Sequence, residues 1–317
     1  MSVDVQERRK FTAALLGDEA APPPSDPSPQ VVRGVALHVT AHMLTVATPK
    51  GEERFLFERT TAFWRGRDVG PQEIRVGDDV LVRCGGGGRW VVDRLWAQLG
   101  RITGTIVSAD GDTVVVDPGH GRPPATAVIP YRSSGRMSVR HPVLEPGYLF
   151  DAVGVREGGT VQTTVPATTQ PPHPVSRAPR RPPVRRVPRA LSGIVSWYDP
   201  AYGRAAHTDP RAHAPGAAYP ALDPGSDCGP DCDRSDPCLP LPLLSLGATV
   251  GVRNDDTGVA GVFPVLNCAS AASRFCDRCR DGTGDASGRL AELTLPAFVA
   301  LGGRPEAGCF AATMEAG

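Results

Sequence analysis

Between Val31 and Thr164, apolar and polar residues alternate in short runs separated by glycine-containing turns. This period-two pattern is that of half-buried β-strands, and Ala109-Asp110-Gly111-Asp112 has the turn chemistry of a hairpin between two of them. The pattern repeats at an offset of 70 positions: Gly34 with Gly104, Leu44-Thr45-Val46 with Val114-Val115-Val116, Ile74 with Leu144, Gly77 with Gly147 and Val80 with Phe150. Each copy runs through a glycine, a short strand, a turn, a β-branched strand, a polar excursion and an apolar-x-x-Gly lead into a last strand. The repeat predicts two tandem small antiparallel β-barrels, OB-like or SH3-like, over 31–100 and 101–165.

The flanking segments lack this alternation. Residues 1–30 predict a short polar helix from Val5 to Leu16 and then a tether carrying Pro22, Pro23, Pro24, Pro27 and Pro29, a composition too polar to bury a core. Residues 166–190 hold eight prolines, six arginines and no acidic residue. Proline locks φ, so an extended polyproline linker is expected, serving as a stiff spacer and as a possible basic arm for an anionic polymer.

Composition narrows the function classes. Lys+Arg and Asp+Glu both total 34, which argues against a globally basic nucleic-acid binder and against an acidic disordered chain. Glycine (36) and proline (33) make up about a fifth of the chain, against roughly 12% in average usage, so long turns are expected. No apolar run approaches the ~20 residues of a membrane-spanning helix. The residues from Met1 to Pro24 show no standard secretory signal, because Asp18 and Glu19 interrupt the apolar stretch from Phe11 to Leu16.

The third unit, 191–317, carries four segments in order: Ser192-Gly193-Ile194-Val195-Ser196-Trp197-Tyr198, Leu244 to Asn254, Thr257 to Asn267, and Arg289 to Gly302. Thr249 to Val252 alternates, Asn254-Asp255-Asp256-Thr257-Gly258 is a turn cluster, and Val259 to Val265 returns as a second strand. Thr294 is placed to cap a helix with Pro296 in its first turn, and Ala297, Phe298 and Leu301 share a face.

These four segments resemble the RlpA-like, barwin and expansin family over about 125 residues. That family opens with Gly-x-Ala-Ser-Trp-Tyr, continues with Leu-Pro-x-Gly-Thr-x-Val-x-Val-x-Asn and Val-x-Val-Asn-Asp, and closes with Ile-Asp-Leu-Ser-x-x-Ala-Phe-x-x-Leu. The resemblance implies a six-stranded double-psi β-barrel and a wall-glycan ligand such as peptidoglycan. The tandem barrels resemble repeated small-β modules of actinobacterial proteins more loosely.

The chain departs from the family where catalysis resides. The acid position falls at Asn267-Cys268 and the histidine position near Leu241, and no histidine lies beyond His213. An amide cannot act as a general acid. Asp199, after Trp197-Tyr198, reads either as a general base in the manner of family-45 glycosidases or as a turn-forming residue before Pro200. Glu292 replaces the family aspartate of the closing strand, as a groove residue or a structural one. Trp197 and Tyr198 offer faces for sugar stacking or serve the core, and Asn267 is a candidate ligand contact.

Seven of eight cysteines fall in this unit: Cys228, Cys232, Cys238, Cys268, Cys276, Cys279 and Cys309; Cys84 reads as a small buried residue. Disulfides are one reading, by physical logic and by family habit. The other is zinc, with Cys276-x-x-Cys279 as one pair and Cys228-x-x-x-Cys232 as the other. Otherwise no cofactor is expected. The expectation is therefore a non-catalytic glycan-binding protein of the cell wall or extracellular space, exported by a non-classical route. The alternatives are a divergent lytic transglycosylase or glycosidase using Asp199 and Glu292, and a cytoplasmic or particle-associated structural protein with cysteine-bound zinc.

Overall fold

The computed structural model describes residues 30–85, 88–179, 190–200, 212–226, 232, 236–280 and 286–316. The helix and tether expected before Gln30, the arginine-rich positions 180–189 and Cys228 lie outside the described residues. The protein is mainly β, with several closed small barrels.

The first unit comprises β1 (Gln30–Val39), β2 (Met43–Thr48), β3 (Gly51–Trp64), β4 (Asp68–Val69), β5 (Asp79–Cys84) and β6 (Val91–Ala97). Its strand order is β2-β1-β5-β6-β3-β4, and β2 also pairs with β3, which joins the ends into a ring. The second unit comprises β7 (Leu99–Asp110), β8 (Thr113–Asp117), β9 (Ala125–Val128), helix α1 (Tyr131–Arg140), β10 (Leu149–Glu157) and β11 (Thr160–Pro166). Its five strands close in the order β10-β11-β9-β8-β7.

The offset of 70 holds in the ladders. Gly34 faces Val80 and Gly104 faces Phe150. Ala36 faces Val46 and Ile106 faces Val116, and both ladders shift at the next position. The bulge bends the first strand so that it pairs on both edges. A Cβ on Gly34 would lie 2.1 Å from the Ala47 carbonyl oxygen, and one on Gly104 2.1 Å from that of Asp117, which explains the glycine in each copy. Each barrel has one parallel contact, β3 with β6 and β9 with β11. The copies diverge between their third and fourth ring strands. The first carries β4 and a short 3-10 turn, Pro71–Glu73, where the second carries α1, which buries Met137.

The third unit comprises β13 (Leu191–Tyr198), β14 (Ala217–Tyr219), β15 (Thr249–Asn254), β16 (Ala260–Cys268), β18 (Arg289–Thr294) and β19 (Cys309–Ala316). They close in the order β13-β18-β14-β16-β15-β19. Two contacts, β13 with β18 and β14 with β16, are parallel. Helix α2 (Leu295–Ala300) follows β18 and buries Phe298 completely. Thr294 does not cap it through its hydroxyl; that group instead donates to the Ala214 carbonyl and accepts from the Gly216 amide.

The units do not behave as modules on a flexible tether. The segment expected to begin a polyproline spacer is built into the fold at its start. Pro166 ends β11, and β12 (Thr168–Thr169) pairs with β17 (Arg278–Cys279) of the third unit. The Gln170 side chain donates to the Val143 and Leu149 carbonyls. Backbone pairing and a satisfied amide here outweigh the local proline content. One apolar cluster joins Trp64, Leu81 and Trp96 of the first unit, Val153 and Val155 of the second, and Val195, Trp197 and Phe298 of the third. The first two barrels also keep interior cores of their own. Among the described residues, no helix is long and apolar enough to cross a membrane.

Candidate functional site

Strand β13 is paired on both edges and covered on both faces, so the residues that resemble the family's opening motif are enclosed. Trp197 is fully buried, donates from Nε1 to the Pro305 carbonyl at 2.9 Å and has the Arg101 guanidinium 5.7 Å from its ring centre. Tyr198 is buried beside Ala218 and Ala269. Both aromatics serve the interior, and the expected stacking faces for sugar are not presented at a groove.

Asp199 is held by two arginines from the other barrels. Arg33 of β1 donates to both its carboxylate oxygens at 2.8 and 3.0 Å, and Arg156 of β10 donates to Oδ2. Arg33 also pairs with Asp79 at 2.8 Å. Burial opposes ionisation of Asp199, but the charges of Arg33 and Arg156 and their hydrogen bonds outweigh it and hold the carboxyl well below the usual range. So stabilised an anion is a poor proton acceptor. Asp199, read from the sequence as either a general base or a turn residue, is a counter-ion that ties three barrels together.

Glu292 is also enclosed. It pairs with Arg289 at 2.6 Å and accepts from the Ser270 amide and hydroxyl at 2.9 and 2.6 Å. Burial raises its pKa, and Arg289 with the Ser270 hydrogen bonds brings it below the ordinary value. Asn267 is partly buried and turns its carbonyl oxygen back to accept from the Cys268 amide at 2.9 Å. The expected catalytic pair thus lies in two separate buried ion-pair clusters.

Glu292 belongs to a larger cluster that sequence reasoning missed. Arg101 of β7 grips Asp151 of β10 with two hydrogen bonds of 2.9 and 2.7 Å and also donates to the Trp197 and Gly308 carbonyls. Arg289 reaches Asp151 at 2.7 Å and Asp277 at 3.1 Å. Burial pushes Asp277 up despite Arg289, whereas Arg101 and Arg289 overcome burial to hold Asp151 down. The available signal was Asp151 itself, a charge inside the apolar run Phe150-Asp151-Ala152-Val153.

Five of the described cysteines are in disulfides. Cys238 bonds Cys276, Cys279 bonds Cys309, and Cys232 is also disulfide-bonded. The two cysteines of Cys276-x-x-Cys279 therefore point to different partners, and of the two readings of this pair the structure has disulfides. Cys84 and Cys268 are buried thiols. Cys84 lies in the first barrel's core, and burial pushes its pKa up to about 12.

Among the described residues one group of three potential metal-ligating side chains lies together, two of them cysteines already marked in the sequence and the third, His120, not anticipated. A ring nitrogen of His120 and the sulfurs of Cys232 and Cys268 all lie within 4.8 Å of one another. His120 comes from the loop between β8 and β9, where Gly119, His120 and Gly121 have φ of 82°, 60° and 60°. Its Nε2 hydrogen-bonds the Ala269 carbonyl, and the Ala271 amide donates to the Pro118 carbonyl at 2.9 Å, so the loop is clamped to the third barrel.

No family model matches this chain, and no curated protein matches it. Among solved structures, it is similar to a Cu(II)-containing variant of CusF from Escherichia coli, at 16% identity over 22% of this chain and 92% of that chain, with a TM-score of 0.18. A superposition at that score carries no argument about fold or function.

Proposed function

We propose that this chain is a non-enzymatic, disulfide-stapled scaffold of the cell wall or extracellular space that binds wall glycan without cleaving it. In this reading the first two units are tandem OB-like barrels. Their ring order, with one parallel contact and a first strand shared between two neighbours, supports that assignment. The third unit is a double-psi barrel of the RlpA and expansin kind, for which its two parallel contacts within six closed strands are support. The four-segment resemblance supports glycan as the ligand. The disulfides support an oxidising compartment.

The observation that carries the non-catalytic part is the fate of the carboxylates. Asp199 lies between Arg33 and Arg156, and Glu292 between Arg289 and Ser270. A glycosidase needs one carboxyl poised to give a proton and one facing the sugar. The test is co-sedimentation of the full-length protein with purified peptidoglycan sacculi, with released muropeptides measured in the supernatant. Pelleting without release is expected. Release that disappears in Asp199→Asn would overturn the non-catalytic reading. Failure to pellet would remove glycan as the ligand and favour a purely structural protein, a role that the shared core also suits.

A further inference from the structure

We infer that His120, Cys268 and Cys232 form a redox-gated site for a thiolate-seeking transition-metal ion such as Zn(II), at the seam between the second and third barrels. Three ligand atoms from two barrels, all within 4.8 Å of one another, are the starting geometry. Tetrahedral zinc with Zn–S of ~2.3 Å and Zn–N of ~2.1 Å separates its ligand atoms by roughly 3.6–3.8 Å. The group would therefore contract by no more than about 1 Å on binding.

The seam is built to deliver the histidine. A non-glycine residue in the left-handed region costs on the order of 1 kcal/mol, and His120 adopts it at φ 60° between two glycines that share it. A Cβ on Gly119 would lie 3.0 Å from the Ala271 side chain, so the loop packs directly on the third barrel. The Ala269 carbonyl engages Nε2, which leaves Nδ1 as the ring nitrogen open to a metal.

The gate is the disulfide on Cys232. While it is intact, Cys232 offers no thiolate and the site has two good ligands. A dithiol reductant opens it by exchange: the two disulfide sulfurs each gain one electron and one proton, and the reductant closes to its own disulfide. Metal binding then displaces one proton from each of Cys232 and Cys268, giving a His-Cys-Cys set with a fourth position for water. This set differs from the zinc pairs read from the sequence, since it uses His120 and neither Cys276 nor Cys279.

The test uses the full chain and cobalt(II), whose thiolate charge-transfer and tetrahedral ligand-field bands report the donor set. Protein is titrated as isolated, and again after reduction with excess dithiol and anaerobic desalting. One equivalent of cobalt with thiolate bands is expected after reduction, with binding at least a hundredfold weaker before it. Cys268→Ser should abolish the bands. His120→Asn, chosen because asparagine tolerates positive φ, should weaken binding at least tenfold. Equal melting curves of the oxidised variants and the parent confirm that the fold is kept. Absence of cobalt binding after reduction would overturn the proposal. So would binding that survives both substitutions, since the metal would then be on the cysteines released from the other two disulfides.

Discussion

Arg289 of β18 and Asp151 of β10 meet at 2.7 Å with neither side chain exposed, so a guanidinium of the third barrel neutralises a carboxylate of the second. Arg101 holds the other side of the same carboxylate. Breaking a buried pair leaves a desolvated charge without compensation, which typically costs 3–5 kcal/mol. Arg289→Leu is therefore expected to destabilise the protein by about 3–5 kcal/mol in urea unfolding. Asp277→Asn, which replaces a carboxyl that burial already favours as neutral, should cost about 1 kcal/mol or less. Equal losses from the two would mean that Asp277 is ionised in the cluster.

The apolar cluster through Trp96, Val153 and Trp197 predicts cooperative unfolding. Scanning calorimetry of the oxidised protein should show one dominant transition. Three resolved transitions would mean that the seams contribute little and that the barrels are independent.

Acid should act in two stages. Burial depresses the folded-state pKa of His141, with Asp151 partly opposing it. A depressed group stabilises fully above its unfolded value, about 6.5 for histidine, and that contribution is lost as pH falls toward the folded value. Asp199, Asp151 and Glu292 are depressed likewise, so their contribution fades below about pH 4. Melting temperature should decline gently below about pH 6.5 and steeply below about pH 4. His141→Gln should flatten the upper limb alone.

The disulfides Cys238–Cys276 and Cys279–Cys309 close loops with sequence separations of 38 and 30. In the loop-entropy account each contributes about 3–4 kcal/mol. Reduction should lower the melting temperature sharply. Cys279→Ala should do so in the oxidised protein, whereas Cys84→Ala, in the interior of the first barrel, should leave the disulfide content unchanged.

The equivalence of the first two barrels is testable at the glycines. Gly34→Ala and Gly104→Ala each press a methyl against a carbonyl oxygen 2.1 Å away. Both should destabilise by at least 1–3 kcal/mol, the usual cost of overpacking. A neutral result at either would break the correspondence there.

The local sequence determined the strands and the hairpins, because alternation and glycine turns act within a few residues, and Gly34 and Gly104 answer the same close approach. It also marked Thr249 to Val265 as a hairpin and Phe298 as core. The meaning of Asp199, Glu292 and Trp197 was decided elsewhere. Arg33 is 166 positions from Asp199, and Arg101 is 96 from Trp197, separations over which no local pattern operates. The same holds for His120, which reaches Ala269 across 149 positions. Charge pairing and burial depend on which surfaces meet. Only the packing of three barrels around one core made a candidate active-site carboxylate a structural counter-ion and brought a histidine to two cysteines.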